Sequence, residues 1–545
     1  MNTTALSASV KKRRTFAIIS HPDAGKTTLT EKLLLFSGAI HTAGSVKARK
    51  ASRHATSDWM EIEKQRGISV ASSVMQMDYR EHVVNLLDTP GHRDFSEDTY
   101  RVLTAVDSAL MVIDAANGVE AQTKRLIEVC RQRDTPIITF INKMDREGRD
   151  PLELLDEVEA ELGMPCVPMT WPVGQGRAFG GIINLRTQKM RVFEAGEDKL
   201  GGDIEDIDLS DTATLKATFG ADFEQAQANI ELVSGAAPAF DMDAFLAAKQ
   251  TPVFFGSAVN NFGVQEVLDA LVDLAPSPHA RGSSSPDGNV TLIAPDSLGF
   301  SGVVFKVQAN MDPMHRDRIA FVRVCAGKYE SGMKLKVQRT GKEMRPTSVV
   351  TFMSQKREAV EEAYAGDIIG FTIHGGVQLG DTITAADIAQ PLQYTGLPFF
   401  APELFQTVEL ANPMKSKQLQ QGLEQLGEEG AIQVFKPTLG SLMLLGAVGQ
   451  LQFEVVQHRL QTEYKADIRL KPCQFVGARW ITCDDAAEMK KFVDYNASKL
   501  AYDAADTLAY LLTSAYDLRI TQERHPKIQF HPLREHAGLK LEKAA

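Results

Sequence analysis

The stretch Ser20-His21-Pro22-Asp23-Ala24-Gly25-Lys26-Thr27-Thr28 constrains this chain more than any other. An apolar run, 16–19, precedes it, and Leu29, Leu33 and Phe36 follow at the spacing of one helix face, which predicts a strand, a tight turn and a helix. Free N–H groups at a helix N-terminus, together with the positive end of its dipole, form an anion site, and phosphate is the occupant that fits. Gly25 has no Cβ to hold the backbone away, Lys26 has the reach for β- and γ-phosphates, and the Thr27 hydroxyl is placed for Mg²⁺. Asp23, Ala24 and Thr28 complete the phosphate loop, while Ser20 stands where such loops usually begin with glycine.

Two further strand-and-loop units decide which nucleotide such a loop holds. The apolar run 83–87 ends in Asp88-Thr89-Pro90-Gly91-His92. A carboxylate at the carboxyl end of a buried strand beside a phosphate loop is placed to support Mg²⁺, here Asp88 acting through water. Gly91 offers an N–H to the γ-phosphate and freedom to move when that phosphate leaves, and His92 then stands next to the reacting centre. The run 137–141 ends in Asn142-Lys143-Met144-Asp145. Guanine presents two N–H donors on one edge, and a single carboxylate, Asp145, accepts both, a pattern adenine does not match. Asn142 is expected to tie this loop to the phosphate loop and Lys143 to lie along the base. After the strand 252–255, the backbone of Ser257 and Ala258 is expected to face the guanine O6.

The totals narrow the rest. A length of 545 residues suggests about three to four domains, and 43% apolar with 24% charged residues is the balance of a globular chain. The formal charge of −11 gives no global attraction for nucleic acid, so RNA contact requires local basic patches. Lys11-Lys12-Arg13-Arg14 is not followed by the apolar core of a secretory signal, and the run 442–448 is far too short to span a bilayer; the expectation is a cytoplasmic protein. Cys130, Cys166, Cys325, Cys473 and Cys483 form no C-x-x-C pair and read as buried thiols.

In chain order, the fold class read from the sequence is multidomain: an α/β P-loop domain over 1–280, an antiparallel β-barrel over 292–398 and an α+β domain over 399–545. Within the first, 162–250 loosens its pattern and reads as an insertion of unassigned role, with a short β-like stretch at 189–193. Residues 281–291, with Arg281-Gly282-Ser283-Ser284-Ser285-Pro286-Asp287-Gly288, read as a linker by composition. The segment 44–66, carrying Lys47, Arg49, Lys50, Arg53, Lys64 and Arg66, is either a long functional loop or a solvated charged surface. The C-terminal Lys490, Lys491, Lys499, Arg519, Arg524 and Lys527 read equally as an RNA-facing patch or as surface.

These motifs in this order, with Arg66-Gly67-Ile68-Ser69 between the first two, resemble the translational GTPases, and the Asp-Ala-Gly-Lys form resembles their elongation factor G branch. Arg53-His54-Ala55-Thr56-Ser57-Asp58-Trp59-Met60, Gln65-Arg66-Gly67-Ile68-Ser69-Val70 and Val448-Gly449-Gln450-Leu451-Gln452-Phe453 narrow the resemblance to the bacterial class II peptide-chain release factors, over essentially the whole chain. The resemblance implies a GTP/GDP switch with Mg²⁺, held by Thr27, Ser69 and Asp88, with His92 as the catalytic residue that orients water. Ser69 replaces the Thr of most translational GTPases, a serine the class II release factors share. The implied partner is the ribosome, through its RNA and proteins, with class I release factors affected through it. No membrane or DNA partner is expected, and the chain is expected to act as a monomer. The alternatives are an elongation-factor-like or ribosome-protection GTPase, which is expected to carry two further domains, and a nucleotide-gated ribosome-binding scaffold that does not hydrolyse GTP.

Overall fold

The computed structural model describes residues 3–40, 63, 69–192, 206–285, 289–309, 318–346, 348–353, 356–373, 376–388, 391–394, 397–440 and 443–534. The chain divides into two compact units, the first made of Met1–His92, Ala105–His279 and Phe352–Arg357, the second of Arg93–Thr104, Ala280–Thr351 and Glu358–Ala545.

The first unit is organised by β1 (Arg13–Ser20), β2 (Ser73–Tyr79), β3 (His82–Asp88), β4 (Ser108–Asp114), β5 (Ile137–Asn142), β6 (Cys166–Pro168) and β11 (Thr251–Phe255), lying side by side in the order β2-β3-β1-β4-β5-β11-β6. All neighbours run parallel except β2, which forms an antiparallel hairpin with β3. Every residue of β4, β5 and β11 is buried, as parallel strands covered on both faces must be, and so they read as unbroken apolar runs. The helices are α1 (Thr3–Lys11), α2 (Lys26–Phe36), α4 (Ala121–Gln132), α5 (Pro151–Leu162) and α7 (Val264–Asp273); α3 (Ser96–Ala105) follows β3, but all except its last residue groups with the second unit. Leu29 and Leu33 of α2 and Val267, Leu268 and Leu271 of α7 share one buried cluster with Phe16, Leu86, Leu110 and Ile138 from the sheet, each contributing about 1.5–3 kcal/mol of burial. Asp150 caps α5 by accepting from the Leu152 amide at 2.8 Å, Pro151 sits at its first turn, and Gly163 ends it in the left-handed region at φ 65. Ligands of such sheets gather at the carboxyl ends of the strands, where β1, β3, β5 and β11 deliver Ser20, Asp88, Asn142 and Phe255.

The excursion expected over 162–250 starts later than the sequence suggests, because Cys166–Pro168 is still a strand of the central sheet, parallel to β11. Beyond it β7 (Thr170–Val173), β8 (Gly181–Asn184), β9 (Lys189–Val192) and β10 (Asp206–Asp208) form a separate antiparallel sheet, followed by α6 (Thr212–Ala236), which is kinked at Gly220. Arg191 of β9 fastens this sheet to α7 through Glu266 at 2.6 Å. Burial raises the pKa of the Glu266 carboxyl, and the Arg191 cation opposes that rise.

In the second unit β12 (Arg281–Ser284), β13 (Val290–Ile293), β14 (Ser301–Ala309), β15 (Arg318–Ala326), β16 (Leu335–Val337), β17 (Ile368–Thr372), β18 (Thr382–Ala385) and β19 (Gln393–Tyr394) make an antiparallel, barrel-like domain. The expectation of a linker at 281–291 is corrected here: β12 pairs with β13 on one side and β19 on the other, and the Ser283 hydroxyl accepts from the Gln393 amide at 3.1 Å. Backbone pairing is indifferent to the Ser- and Gly-rich composition that signalled a linker.

The α+β part carries β20 (Leu404–Leu410), β21 (Gln433–Pro437), β22 (Leu444–Ala447), β23 (Ile468–Pro472), β24 (Gly477–Thr482), β25 (Leu500–Tyr502), β26 (Leu508–Leu512) and β27 (Gln529–His531) in the order β23-β20-β22-β21-β25-β26-β24-β27. Helices α8 (Ser416–Glu428) and α9 (Gln450–Thr462) contribute to one core cluster, with Leu423, Leu426, Phe453, Val456 and Leu460, and α10 (Ala486–Asn496) and α11 (Ala515–Arg524) flank another centred on Phe492 and Tyr510. Arg459 of α9 is clamped inside by Glu429 at 2.5 Å and Glu463 at 2.7 Å, and Glu429 also accepts from the Ala309 amide of β14 at 2.6 Å.

Candidate functional site

Between β1 and α2 the chain takes two left-handed residues, Asp23 at φ 65 and Gly25 at φ 94, which turn the backbone sharply enough to present the N-terminus of α2. Glycine at 25 is needed for a second reason: a Cβ there would lie 2.3 Å from Asn142 Nδ2. Lys26 is buried and its Nζ donates to Asp88 Oδ1, so the two groups assigned by sequence to phosphate and metal face each other. Thr27 and Thr28 are half-buried in the first turn of α2. The Thr89 hydroxyl donates to the Ile18 carbonyl at 2.7 Å and fastens the end of β3 to β1. Gly91 lies against the phosphate loop, where a Cβ would come within 3.3 Å of Pro22 N; half-buried His92 follows directly.

The base side is assembled around Asn142. Its Nδ2 donates to the Ala24 carbonyl and its Oδ1 accepts from the Ala258 amide, both at 2.9 Å, so one buried side chain joins the phosphate loop, the 142–145 loop and the 257–258 loop. Lys143, in the left-handed region at φ 70, donates to the Asp23 carbonyl at 2.5 Å and to Asp114 Oδ2 at 2.6 Å. The Ser257 hydroxyl donates to Asp145 Oδ1 at 2.5 Å, Asn260 Nδ2 donates to that same hydroxyl oxygen at 2.9 Å, and the Met144 amide donates to the Gly256 carbonyl at 3.1 Å. Contacts therefore join Asp23, Ala24, Gly25, Lys26, Asp88, Gly91, Asn142, Lys143, Asp145, Ser257 and Ala258 into one crevice, while Thr27, Thr28, Ser69 and His92 are positioned by the segments that carry them.

Three participants were not assigned a role by the sequence. Asp114 anchors Lys143, and its signal was available: like Asp88, it ends a buried strand. Glu63 accepts from the Val70 and Ala71 amides at 2.8 and 3.2 Å, fixing the backbone just after half-buried Ser69. His21 Nε2 meets Glu120 Oε2 at 2.9 Å beside the phosphate loop. Apart from Glu63, the 44–66 segment and Gly67-Ile68 lie outside the described residues. Thr27, Ser69 and Asp88 each carry a side-chain oxygen, the donor type Mg²⁺ takes.

Comparison with known proteins assigns each part. Residues 11–277 match the elongation factor Tu GTP binding domain, 299–386 elongation factor G domain 2, and 394–522 the C-terminal domain of class II release factor RF3. The chain is 66% identical to peptide chain release factor 3 of Bordetella pertussis, over 97% of this chain and 98% of that one. The chain belongs to the peptide chain release factor 3 family. The release factor 3 of Nitrosomonas europaea is 63% identical over 98% of this chain and 99% of its own. A crystal structure of a Thermus thermophilus protein, titled ttk003000868, matches the fold with a TM-score of 0.68 at 22% identity, covering 87% of this chain and 71% of that one. As a release factor 3 family member with this domain set, the protein is a guanine-nucleotide-binding GTPase of translation termination. No helix among the described residues is long and apolar enough to cross a membrane.

Proposed function

We propose that this protein hydrolyses GTP under ribosomal stimulation and thereby promotes dissociation of class I release factors after the peptide has been freed. The observation that carries the reading is Asn142, whose two hydrogen bonds hold a phosphate loop and two base-side loops in a single crevice. In the reaction a water oxygen forms a bond to the γ-phosphorus, the bond from that phosphorus to the β-phosphate bridging oxygen breaks, and GDP and phosphate leave. Protein groups form no covalent bond, so positioning and charge stabilisation dominate.

Lys26 and the loop amides of Asp23, Ala24, Gly25, Lys26, Thr27 and Thr28 bind the phosphates; Asp145 reads the two guanine donors, with Ser257 and Ala258 at the opposite edge. Mg²⁺, when bound, neutralises phosphate charge, with Thr27, Ser69 and Asp88 as its protein-side partners. Gly91 senses the γ-phosphate, and His92 orients the water once ribosomal RNA fixes the ring. The Ser69 segment orders with GTP and relaxes with GDP. The protein works as a cytoplasmic monomer on ribosomal RNA and proteins, away from DNA and membranes. The deciding experiment measures loss of a labelled class I release factor from terminated ribosomes, with GTP and wild-type or His92→Ala protein. Acceleration by the wild type alone is expected, with the variant binding GTP normally but losing turnover by orders of magnitude; equal dissociation with and without the protein refutes the proposal.

A further inference from the structure

Val448-Gly449-Gln450-Leu451-Gln452-Phe453 has no part in nucleotide chemistry, and the structure places it at the start of α9. The first amides of a helix lack partners within it and carry the positive end of its dipole. At the cap position Gly449 has no side chain with which to answer them. The answer comes from far away in sequence: Asp94 Oδ2 accepts from the Leu451 amide at 2.8 Å. A Cβ on residue 449 would lie 2.0 Å from Asp94 Cγ and 2.2 and 2.4 Å from its oxygens. Glycine at 449 is thus the space that the Asp94 carboxylate fills. Gln452 Oε1 takes the Val448 amide at 2.7 Å and completes the cap.

Asp94 is two residues beyond His92, and the segment it lies in, Arg93–Thr104, belongs with the second compact unit. Other contacts seat that segment. Glu97, buried, accepts from Gln433 Nε2 at 3.0 Å and from Arg101 Nη2 at 3.3 Å; Arg101 also donates to the Gly430 carbonyl at 3.3 Å, and the Tyr100 ring lies 5.1 Å from that of Phe400. His92 itself groups with the nucleotide unit. Consecutive Cα atoms are fixed at about 3.8 Å, so the His92 Cα stays within about 7.6 Å of the capped Asp94 Cα.

We propose that Asp94 is a positioning residue for GTP hydrolysis: by capping α9 it fixes the backbone two residues beyond His92 and so limits where the imidazole comes to rest. This rests on the reading of His92 given above, and assigns the glycine of the 448–453 motif to accommodating Asp94.

The test uses full-length Asp94→Ala, Asp94→Asn, Gly449→Ala and the Asp94→Ala/Gly449→Ala double variant. For each, ribosome-stimulated kcat and KM, fluorescent GDP affinity and melting temperature are measured. Asp94→Ala and Gly449→Ala are expected to lower kcat about tenfold or more, with KM and GDP affinity within about threefold of wild type. Asp94→Asn, which keeps an acceptor oxygen, is expected to stay within about threefold of wild-type kcat. The double variant is expected to be no slower than either single one, since both break the same contact. Wild-type kcat in Asp94→Ala overturns the inference; so do losses that multiply in the double variant or follow the melting temperatures instead of the contact. An independent readout is amide exchange at Leu451 with GDP or a non-hydrolysable GTP analogue: the two nucleotides should give different protection in the wild type and the same protection in Asp94→Ala. Identical protection in the wild type overturns this inference alone, whereas a wild type that ribosomes do not stimulate overturns the reading of the activity on which it stands.

Discussion

Replacing Asn142 with alanine removes both bonds that hold the crevice together and leaves the Ala24 carbonyl and Ala258 amide without their 2.9 Å partners. Ala24 is 3% exposed and Ala258 not at all, so water reaches neither easily, and each orphaned group costs about 1–3 kcal/mol. The total is about 2–6 kcal/mol. Shared equally between unfolding and ligand affinity, it weakens nucleotide binding by roughly fivefold to 150-fold, at about 1.4 kcal/mol per factor of ten. Titration of a fluorescent GDP analogue, alongside thermal unfolding, measures both shares. A second substitution sharpens the test. In Gly25→Ala the new Cβ collides with Asn142 Nδ2 and must also adopt φ 94; in an Asn142→Ala background only the backbone strain remains, so the same substitution should cost less. A GDP affinity within about twofold of wild type and an unchanged melting temperature in Asn142→Ala, or equal Gly25→Ala costs in both backgrounds, refutes the assignment of Asn142 as the tie among the three loops.

Asp145→Asn should move preference from guanine towards xanthine nucleotides, because the amide offers a donor where xanthine has an oxygen; competition binding with XDP and GDP checks this, and unchanged GTP affinity contradicts it. Arg459→Met leaves Glu429 buried without its cation and should destabilise the protein by about 3–5 kcal/mol in denaturant unfolding. Burial already raises the pKa of that carboxyl and Arg459 opposes the rise; with the cation gone the carboxyl favours its neutral form in the folded state, so the deficit should shrink as pH falls towards the unfolded carboxyl pKa and grow as pH rises. His531 is buried, which lowers its pKa below the usual 6.5. Its protonation therefore favours the unfolded chain, and melting temperature should fall as pH drops below about 6.5, a slope that His531→Asn should flatten. Burial pushes the Cys130 thiol up to about 12; a thiol reagent at neutral pH should label the half-buried Cys473 and Cys483 well before Cys130.

What was legible in the sequence divides along physical lines. Strands β4, β5 and β11 announced themselves because burial on both faces leaves no polar alternation, and the loops after β1, β3 and β5 carried their chemistry in residue order. The tie from Asn142 to the phosphate loop was expected from the sequence; its second bond, to Ala258, was not, since nothing in local spacing joins those positions. The segment 281–291 misled because Ser, Gly and Pro mark a linker in composition while Arg281–Ser284 needs only its backbone to enter a sheet. In the excursion after β6 only the stretch around Lys189–Val192 was visible; Thr170–Val173 contains Pro172, and α6 is interrupted at Gly220. The Asp94 cap on α9 spans 357 positions and belongs to tertiary structure alone.

The contact between Lys26 and Asp88 has a bearing on selectivity. Because the ammonium already has a counter-ion within the protein, a bare polyphosphate arriving there must part the two and leave a carboxylate confronting its own negative oxygens. A polyphosphate escorted by a divalent cation supplies a new companion to each at once. On the proposed reading the crevice favours the metal-complexed form of its ligand over simple anions such as sulfate, and discrimination of this kind would operate before any bond to phosphorus is broken.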